Sequence, residues 1–317
     1  MLITEQLEKK QMTKYKLSKV SGVPQATIND ICSGKADLEK CSAGTLYRLA
    51  KVLGVSIEEI LDSAASDHRA AFETFKTAYR IETGETDMEE MIQREINRIF
   101  QERSRAEKLE KVERYRHLNR FVRPHQILFV GSSLMEQFPI YELLLDRQLP
   151  YTIYNRGIGG TTTFELLENM DVCVYELQPD YIYINIGTND LNLPDYTEEG
   201  LIDRYRRILQ GIREHLPESR ICMLAYYPVN PSAAKGNPWA EEALRIRSNA
   251  RINSANLAVS KLAEEMGAVF LDLNDGIKDE GGCLKAEYTI EGMHMYADGY
   301  VPVLEKLLPW LPGKPES

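Results

Sequence analysis

From about Gln126 onward, short apolar runs alternate with longer stretches in which apolar residues recur at helical spacing. The runs occupy 127–130, 151–154, 181–186, 221–226 and 268–271. They are apolar at nearly every position rather than at alternate ones, as in strands buried on both faces. Helical segments are expected at about 161–176, 197–216, 240–266 and after His294. Strands alternating with helices imply an α/β fold, a parallel sheet covered on both faces.

The first half reads differently. Residues 1–62 show short helical patterns at Ile3/Leu7, Leu17/Val20 and Leu46/Leu49/Ala50/Leu53, punctuated by Gly22, Gly34 and Gly54, with Pro24 suited to a first helical turn. Residues 13–31 read as helix, glycine-containing turn, helix, a layout in which the second helix can enter the major groove. A helical linker over 63–120 follows, with Asp87 as N-cap and Glu89 and Glu90 in its first turn. Its apolar stripe runs through Met88, Met91/Ile92, Ile96, Ile99/Phe100, Ala106, Leu109, Val112 and Tyr115/Leu118. That seam suits either a helix docked on its own chain or the coiled coil of a homodimer. The third segment is 121–317.

Charge separates the two ends. The chain carries a net −10, yet residues 1–55 hold nine Lys and Arg against five acids, a net +4 that leaves −14 on the remainder. A basic head on an acidic body suggests that only the head meets a polyanion. No run of about 18 apolar residues could span a membrane, and residues 1–10 become charged too soon for a signal-peptide core. Five scattered cysteines without a CxxC fit reduced thiols, so a cytoplasmic protein is expected.

Four polar motifs sit at the ends of the apolar runs or near the C-terminus. They are Gly131-Ser132-Ser133-Leu134, Asn155-Arg156-Gly157-Ile158-Gly159-Gly160, Gly187-Thr188-Asn189-Asp190 and Glu291-Gly292-Met293-His294. Together they supply a serine, a glycine amide, an asparagine amide and an acid–histidine pair. Acyl transfer needs such a set: a nucleophile, a base, an orienter for the base, and donors for the oxyanion. The first three motifs fall at the carboxyl ends of successive strands, where parallel sheets gather ligands. No zinc spacing, EF-hand loop or Walker-type loop is present. Residues 157–160 lack the full dinucleotide fingerprint. No metal site and no cofactor are expected.

With these motifs, residues 115–312 resemble the SGNH (GDSL-type) hydrolase superfamily, nearest its platelet-activating-factor-acetylhydrolase-like branch. Residues 1–60 resemble the Cro/repressor (XRE) helix-turn-helix family. The first resemblance implies a flavodoxin-like three-layer sandwich. It also implies Ser133 as nucleophile, His294 as base, Glu291 as acid, and an oxyanion hole from the Ser133 N–H, Gly160 and Asn189. Two positions depart from the family pattern. Ser132 stands where Asp is usual, placing a rival nucleophile next door, and Glu291 replaces the usual Asp, leaving Asp272 or Asp275 as alternative acids. The second resemblance puts Gln25, Ala26, Thr27 and Asn29 on or near the surface that reads duplex DNA, with Lys14, Lys19 and Lys35 as phosphate partners. The combined expectation is a hydrolase of small acyl esters, acetyl or short-chain, fused to a DNA-binding head. The alternative from another class is a transcriptional regulator whose SGNH domain senses a ligand.

Overall fold

Successive residues of a strand face opposite sides of a sheet, and the first strand feeds two separate cores. The computed structural model describes residues 2–33, 35, 36, 38, 41, 43–56, 59, 60 and 88–313. In β1 (Ile127–Gly131) every position is buried. Leu128 and Val130 join the core on one face, Ile127 and Phe129 the core on the other. The same split recurs in β3 (Tyr181–Asn185) and β4 (Arg220–Leu224), where Ile182, Ile184, Ile221 and Met223 pack oppositely to Tyr183, Cys222 and Leu224. With β2 (Ile153–Gly157) and β5 (Val269–Leu271) they form a parallel sheet in the order β2-β1-β3-β4-β5.

Helices cover both faces, giving the three-layer sandwich. Leu201, Tyr205, Ile208, Leu209 and Ile212 of one helix (Glu198–His215) fill the first core from i, i+3/i+4 positions, as does the helix Asn249–Glu265 through Ile252, Ala255 and Val259. The helix Ala297–Leu307 fills the second through Tyr300, Val303 and Leu304.

Several boundaries differ from the sequence reading. The second strand begins two residues later and runs into the motif, so Asn155, Arg156 and Gly157 are strand residues. Their polar groups find partners there. Asn155 Nδ2 donates to the Met135 carbonyl at 2.6 Å, and buried Arg156 donates to Asn119 Oδ1 from Nε at 3.0 Å and Nη2 at 2.9 Å. The expected helix at 161–176 divides into Thr163–Glu168 and Met170–Cys173. The expected 240–266 helix divides into Pro238–Ile246 and Asn249–Glu265, with Ser248 accepting from the Arg251 N–H to cap the second.

The chain separates into two compact units, Met1–Arg98 and Ile99–Ser317. In the first, α1 (Leu2–Lys9), α2 (Lys14–Ser21), α3 (Gln25–Cys32) and α4 (Ala43–Leu53) enclose a core that includes Ile3, Leu17, Ile28, Ile31, Leu49 and Leu53. Thr13 caps α2, and Gly22 ends it at φ +68, a left-handed turn that glycine takes without strain. Gly34 lies outside the described residues. Pro24 occupies the N-cap position of α3, one residue earlier than expected.

Helix α5 (Met88–Leu118) lies within the segment expected to be helical, though Asp87 and the side chains of Met88, Met91, Ile92, Ile96 and Phe100 lie outside what is described. Its apolar stripe is only partly used. Ile99, Ala106 and Leu109 are exposed, whereas Val112 is buried in the hydrolase-half core and Tyr115 packs against it. The C-terminal turns of α5 therefore dock on their own unit. No helix among the described residues is long and apolar enough to cross a membrane.

The turn after β1 is packed tightly against β2. A Cβ on Gly157 would lie 2.3 Å from the backbone nitrogen of Glu136, with no flexible side chain to give way. Gly157→Ala should push the 133–136 turn off the sheet and cost on the order of 1–3 kcal/mol, as overpacking commonly does. Thermal melting of the purified full chain checks it; an unchanged melting temperature would contradict this packing.

Candidate active site

Ser133 is the first residue of a one-turn helix, α6 (Ser133–Glu136), that starts directly after β1. Buried Ser132 forms its N-cap and is fixed by donating its N–H to the Asn185 carbonyl at 3.3 Å. A first helical residue has no intrahelical acceptor for its own N–H. The Ser133 N–H accordingly meets no protein acceptor among the described residues.

His294 reaches this serine from the last connection of the fold. Its Nε2 lies 2.9 Å from Ser133 Oγ, and its Nδ1 lies 2.5 Å from Glu291 Oε1. The backbone N–H of His294 also donates to that carboxylate oxygen at 3.2 Å. Both side chains are largely shielded, 21% and 12% exposed. Burial alone would raise the Glu291 carboxyl, but the hydrogen bonds and charge of His294 outweigh it and hold the carboxyl below its ordinary range. Gly292, at φ +96, lets the chain turn so that residues 291 and 294 face each other; a Cβ there would meet the Asn230 carbonyl at 2.6 Å. The extra methylene of Glu291 is accommodated. The alternative acids are engaged elsewhere: Asp272 accepts from the Asn274 N–H at 3.0 Å, and Asp275 pairs with Lys306 at 3.1 Å.

Two further loops meet at the same rim. Gly160 follows β2 at φ +74, and among the described residues its N–H has no acceptor. Asn189 follows β3; its Nδ2 donates to the Thr161 carbonyl at 3.0 Å and its Oδ1 accepts from Arg247 Nη2 at 3.0 Å. With the amide oxygen held this way, Nδ2 keeps a second N–H for another acceptor. Asp190, fully buried, accepts from the Thr163 N–H at 3.0 Å, from the Thr163 hydroxyl, and from Arg204 Nη2 at 3.2 Å. The loop after β3 is thus bolted to the loop after β2.

Sequence reasoning did not single out Arg247, Arg204, Glu136 or Lys108. Arg247 sits where the expected 240–266 helix breaks, and it also donates from Nε to Asn192 Oδ1 at 2.7 Å. Burial lowers its guanidinium to about 10, against an opposing pull from Asp190, so it stays charged at neutral pH. The signal available was the polar triplet Arg247-Ser248-Asn249 interrupting an apolar periodicity. Trp239 is exposed and lies parallel to the His294 ring, centroids 6.5 Å apart.

In the N-terminal unit, Gln25, Ala26 and Asn29 are exposed on α3, with Thr27 half-buried. Lys14 is half-buried, Lys35 is exposed, and exposed Lys19 stands 5.6 Å over the Tyr15 ring. Of the expected residues, Gln25, Ala26, Asn29, Lys19 and Lys35 thus face outward.

A parallel sheet with a serine, a histidine and an acid converging at its carboxyl rim defines an SGNH-type hydrolase fold. Residues 129–301, more than half of the chain, match the model of the GDSL-like lipase/acylhydrolase family, and the chain belongs to that family. Residues 3–65 match the Cro/C1-type helix-turn-helix DNA-binding domain, so the acylhydrolase fold is fused to a DNA-binding domain. Among similar proteins, platelet-activating factor acetylhydrolase IB subunit alpha2 of Rattus norvegicus is 26% identical over 196 residues, 60% of this chain and 79% of the relative. A solved chain from Streptococcus pneumonia, provisionally described as a platelet activating factor, is 33% identical with a TM-score of 0.61, covering 68% of this chain and 98% of that one. A provisionally assigned acylhydrolase from Bacteroides fragilis shares the fold at 22% identity and a TM-score of 0.52, over 62% of this chain and 93% of its own.

The lowered Glu291 carboxyl fixes the sign of a pH effect. A carboxyl depressed in the folded state contributes stability that is fully present above its unfolded value and lost as pH falls through the folded one. Wild type should therefore exceed Glu291→Gln in unfolding free energy by a constant margin near neutral pH. That margin should shrink only below about pH 4.5, the ordinary value for the group. Denaturant melts at stepped pH check this; a margin independent of acid would remove the Glu291–His294 hydrogen bond.

Proposed function

We propose that the chain is a serine esterase acting on small acyl esters, acetyl or short-chain, joined to a head that binds duplex DNA. One observation carries the enzymatic reading: a single imidazole bridges Ser133 Oγ and Glu291 Oε1 at 2.9 and 2.5 Å. With its proton on Nδ1, the ring donates to Glu291 and leaves Nε2 to accept from the serine hydroxyl. Ser133 attacks the acyl carbon while His294 takes its proton. The resulting oxyanion accepts from the unpartnered N–H groups of Ser133 and Gly160 and from the remaining Asn189 amide N–H. Collapse expels the alcohol, to which His294 returns the proton, and water repeats the sequence on the acyl-enzyme. Because the donors need no rearrangement, they favour the charge that develops in the transition state. The acetylhydrolase names of the relatives support a small acyl group.

The domain bounds belong to this reading: 1–62 for the head, 63–120 for the linker and 121–317 for the hydrolase. In the head, Gln25, Ala26, Thr27 and Asn29 contact base edges, while Lys14, Lys19 and Lys35 meet phosphates. The outward presentation of α3 supports this assignment.

A series of p-nitrophenyl esters of rising chain length tests the hydrolase. Turnover should be greatest for acetate and other short chains. Ser133→Ala should abolish it with the fold intact, while Ser132→Ala retains much of it; the reverse pattern would move the nucleophile to Ser132. Asn189→Ala should lower kcat by roughly 10²–10³, the usual loss for one oxyanion donor, and an unchanged kcat would remove Asn189 from the hole.

The head is tested by electrophoretic mobility shift of the full chain on genomic fragments. Retardation should weaken steeply with salt, because lysine–phosphate contacts release counterions. Gln25→Ala with Asn29→Ala should lose sequence preference while keeping nonspecific binding. No retardation at low salt would contradict DNA binding.

A further inference from the structure

Gly160 and its neighbour Gly159 give the oxyanion loop unusual backbone latitude. Two consecutive residues without Cβ let the peptide between them point its N–H in many directions. An oxyanion donor must point in one. What restrains this peptide comes partly from outside the family-matched stretch.

The peptide group on each side of the Gly160 N–H is held. Upstream, the Gly159 N–H donates to Glu136 Oε2 at 2.6 Å. Downstream, the Gly160 carbonyl accepts from Lys108 Nζ at 2.8 Å. Both grips trace to α5. The Lys108 ammonium also bonds both Glu165 carboxylate oxygens, at 2.7 and 3.0 Å, and Glu165 in turn forms the capping box with Thr162. One helical turn on, Lys111 Nζ lies 2.5 Å from Glu136 Oε1, the same carboxylate that holds Gly159. A further turn on, the Tyr115 hydroxyl donates to the Gly157 carbonyl at 2.6 Å. Residues 108, 111 and 115 share one helix face, and that face grips the loop 157–160 from end to end. The Lys108 side chain is 18% exposed and its Cε would stand 3.3 Å from a Cβ at Gly160, so the stem lies directly against the loop.

We propose that α5 is part of the active site: Lys108 is a positioning residue that aims the Gly160 N–H at the oxyanion, with Lys111 acting in the same direction through Glu136. This rests on the esterase reading above. Lys108 touches neither substrate nor the reacting atoms, so its removal acts on kcat rather than on binding.

The test uses the full chain with p-nitrophenyl acetate as probe. Lys108→Met keeps the stem and removes the donors. It should lower kcat by roughly 10- to 100-fold, less than the loss expected for deleting a donor outright, with KM and melting temperature near wild type. Lys108→Arg, which can still donate to both acceptors, should restore most of the rate. Glu107→Gln, on the exposed face of the same helix, should change nothing. Deuterium uptake by a peptide covering 157–161 should rise in Lys108→Met and return in Lys108→Arg. A wild-type kcat in Lys108→Met overturns the proposal. So does unchanged uptake at 157–161, or a kcat loss that merely follows a lower melting temperature and is not recovered by Arg. If wild type hydrolyses no ester in the series, the esterase reading fails, and the exchange experiment still decides whether Lys108 orders the loop.

Discussion

A carboxylate with no solvent exposure needs every lone pair occupied, and Asp190 draws its donors from an element it does not belong to. It follows β3, while the Thr163 N–H and hydroxyl that satisfy it follow β2, and Arg204 lies on the helix between β3 and β4. Meeting this one requirement sets the separation of the loops that carry Gly160 and Asn189. Leaving a buried ion with a partner missing costs about 3–5 kcal/mol, so the two loops cannot drift apart without losing much of a domain's stability. The geometry of the candidate oxyanion hole is in this sense a by-product of keeping one buried charge satisfied.

The sheet supplies the other half of the alignment. In parallel pairing β1, β2 and β3 are in register at their ends, Gly131 opposite both Gly157 and Asn185. Each loop therefore starts from the same level of the sheet, and Ser133, Gly160 and Asn189, 27 to 56 positions apart in sequence, reach one rim. His294 arrives from a different direction. It is not tied to a strand end, so its placement depends on the Gly292 turn and on the double acceptance by Glu291 of its Nδ1 and backbone N–H. A glutamate can fill a position usually held by aspartate because the same oxygen serves both groups and the turn leaves room for the longer arm.

How much of this was legible depended on the range of the interactions. Strands buried on both faces announce themselves through apolar runs, and four of the five expected runs lie within two residues of the observed strands at either end. The second was misplaced because β2 ends in Asn155, Arg156 and Gly157, whose polar groups are satisfied by Met135 and Asn119 far away in sequence. Polar residues read locally as the end of a strand; only tertiary partners make them its last residues. The four site motifs were visible because their chemistry resides in residue types at strand ends. Arg247 was not, since the break between the helices Pro238–Ile246 and Asn249–Glu265 shows in sequence only as a short polar interruption.

The linker shows the same limit from the other side. Periodicity gave α5 its length and its stripe, but a stripe does not name what covers it. Ile99, Ala106 and Leu109 stay exposed while Val112 is buried. The docked face also carries polar side chains: Lys108, Lys111 and Tyr115 each end on a backbone carbonyl or carboxylate around the site. Val112 is buried beneath this helix face, and the donors at 108, 111 and 115 reach acceptors on and around the loop 157–160. A helix joined to a DNA-binding domain thus forms, through three side chains, the outer wall of the loop that presents Gly160.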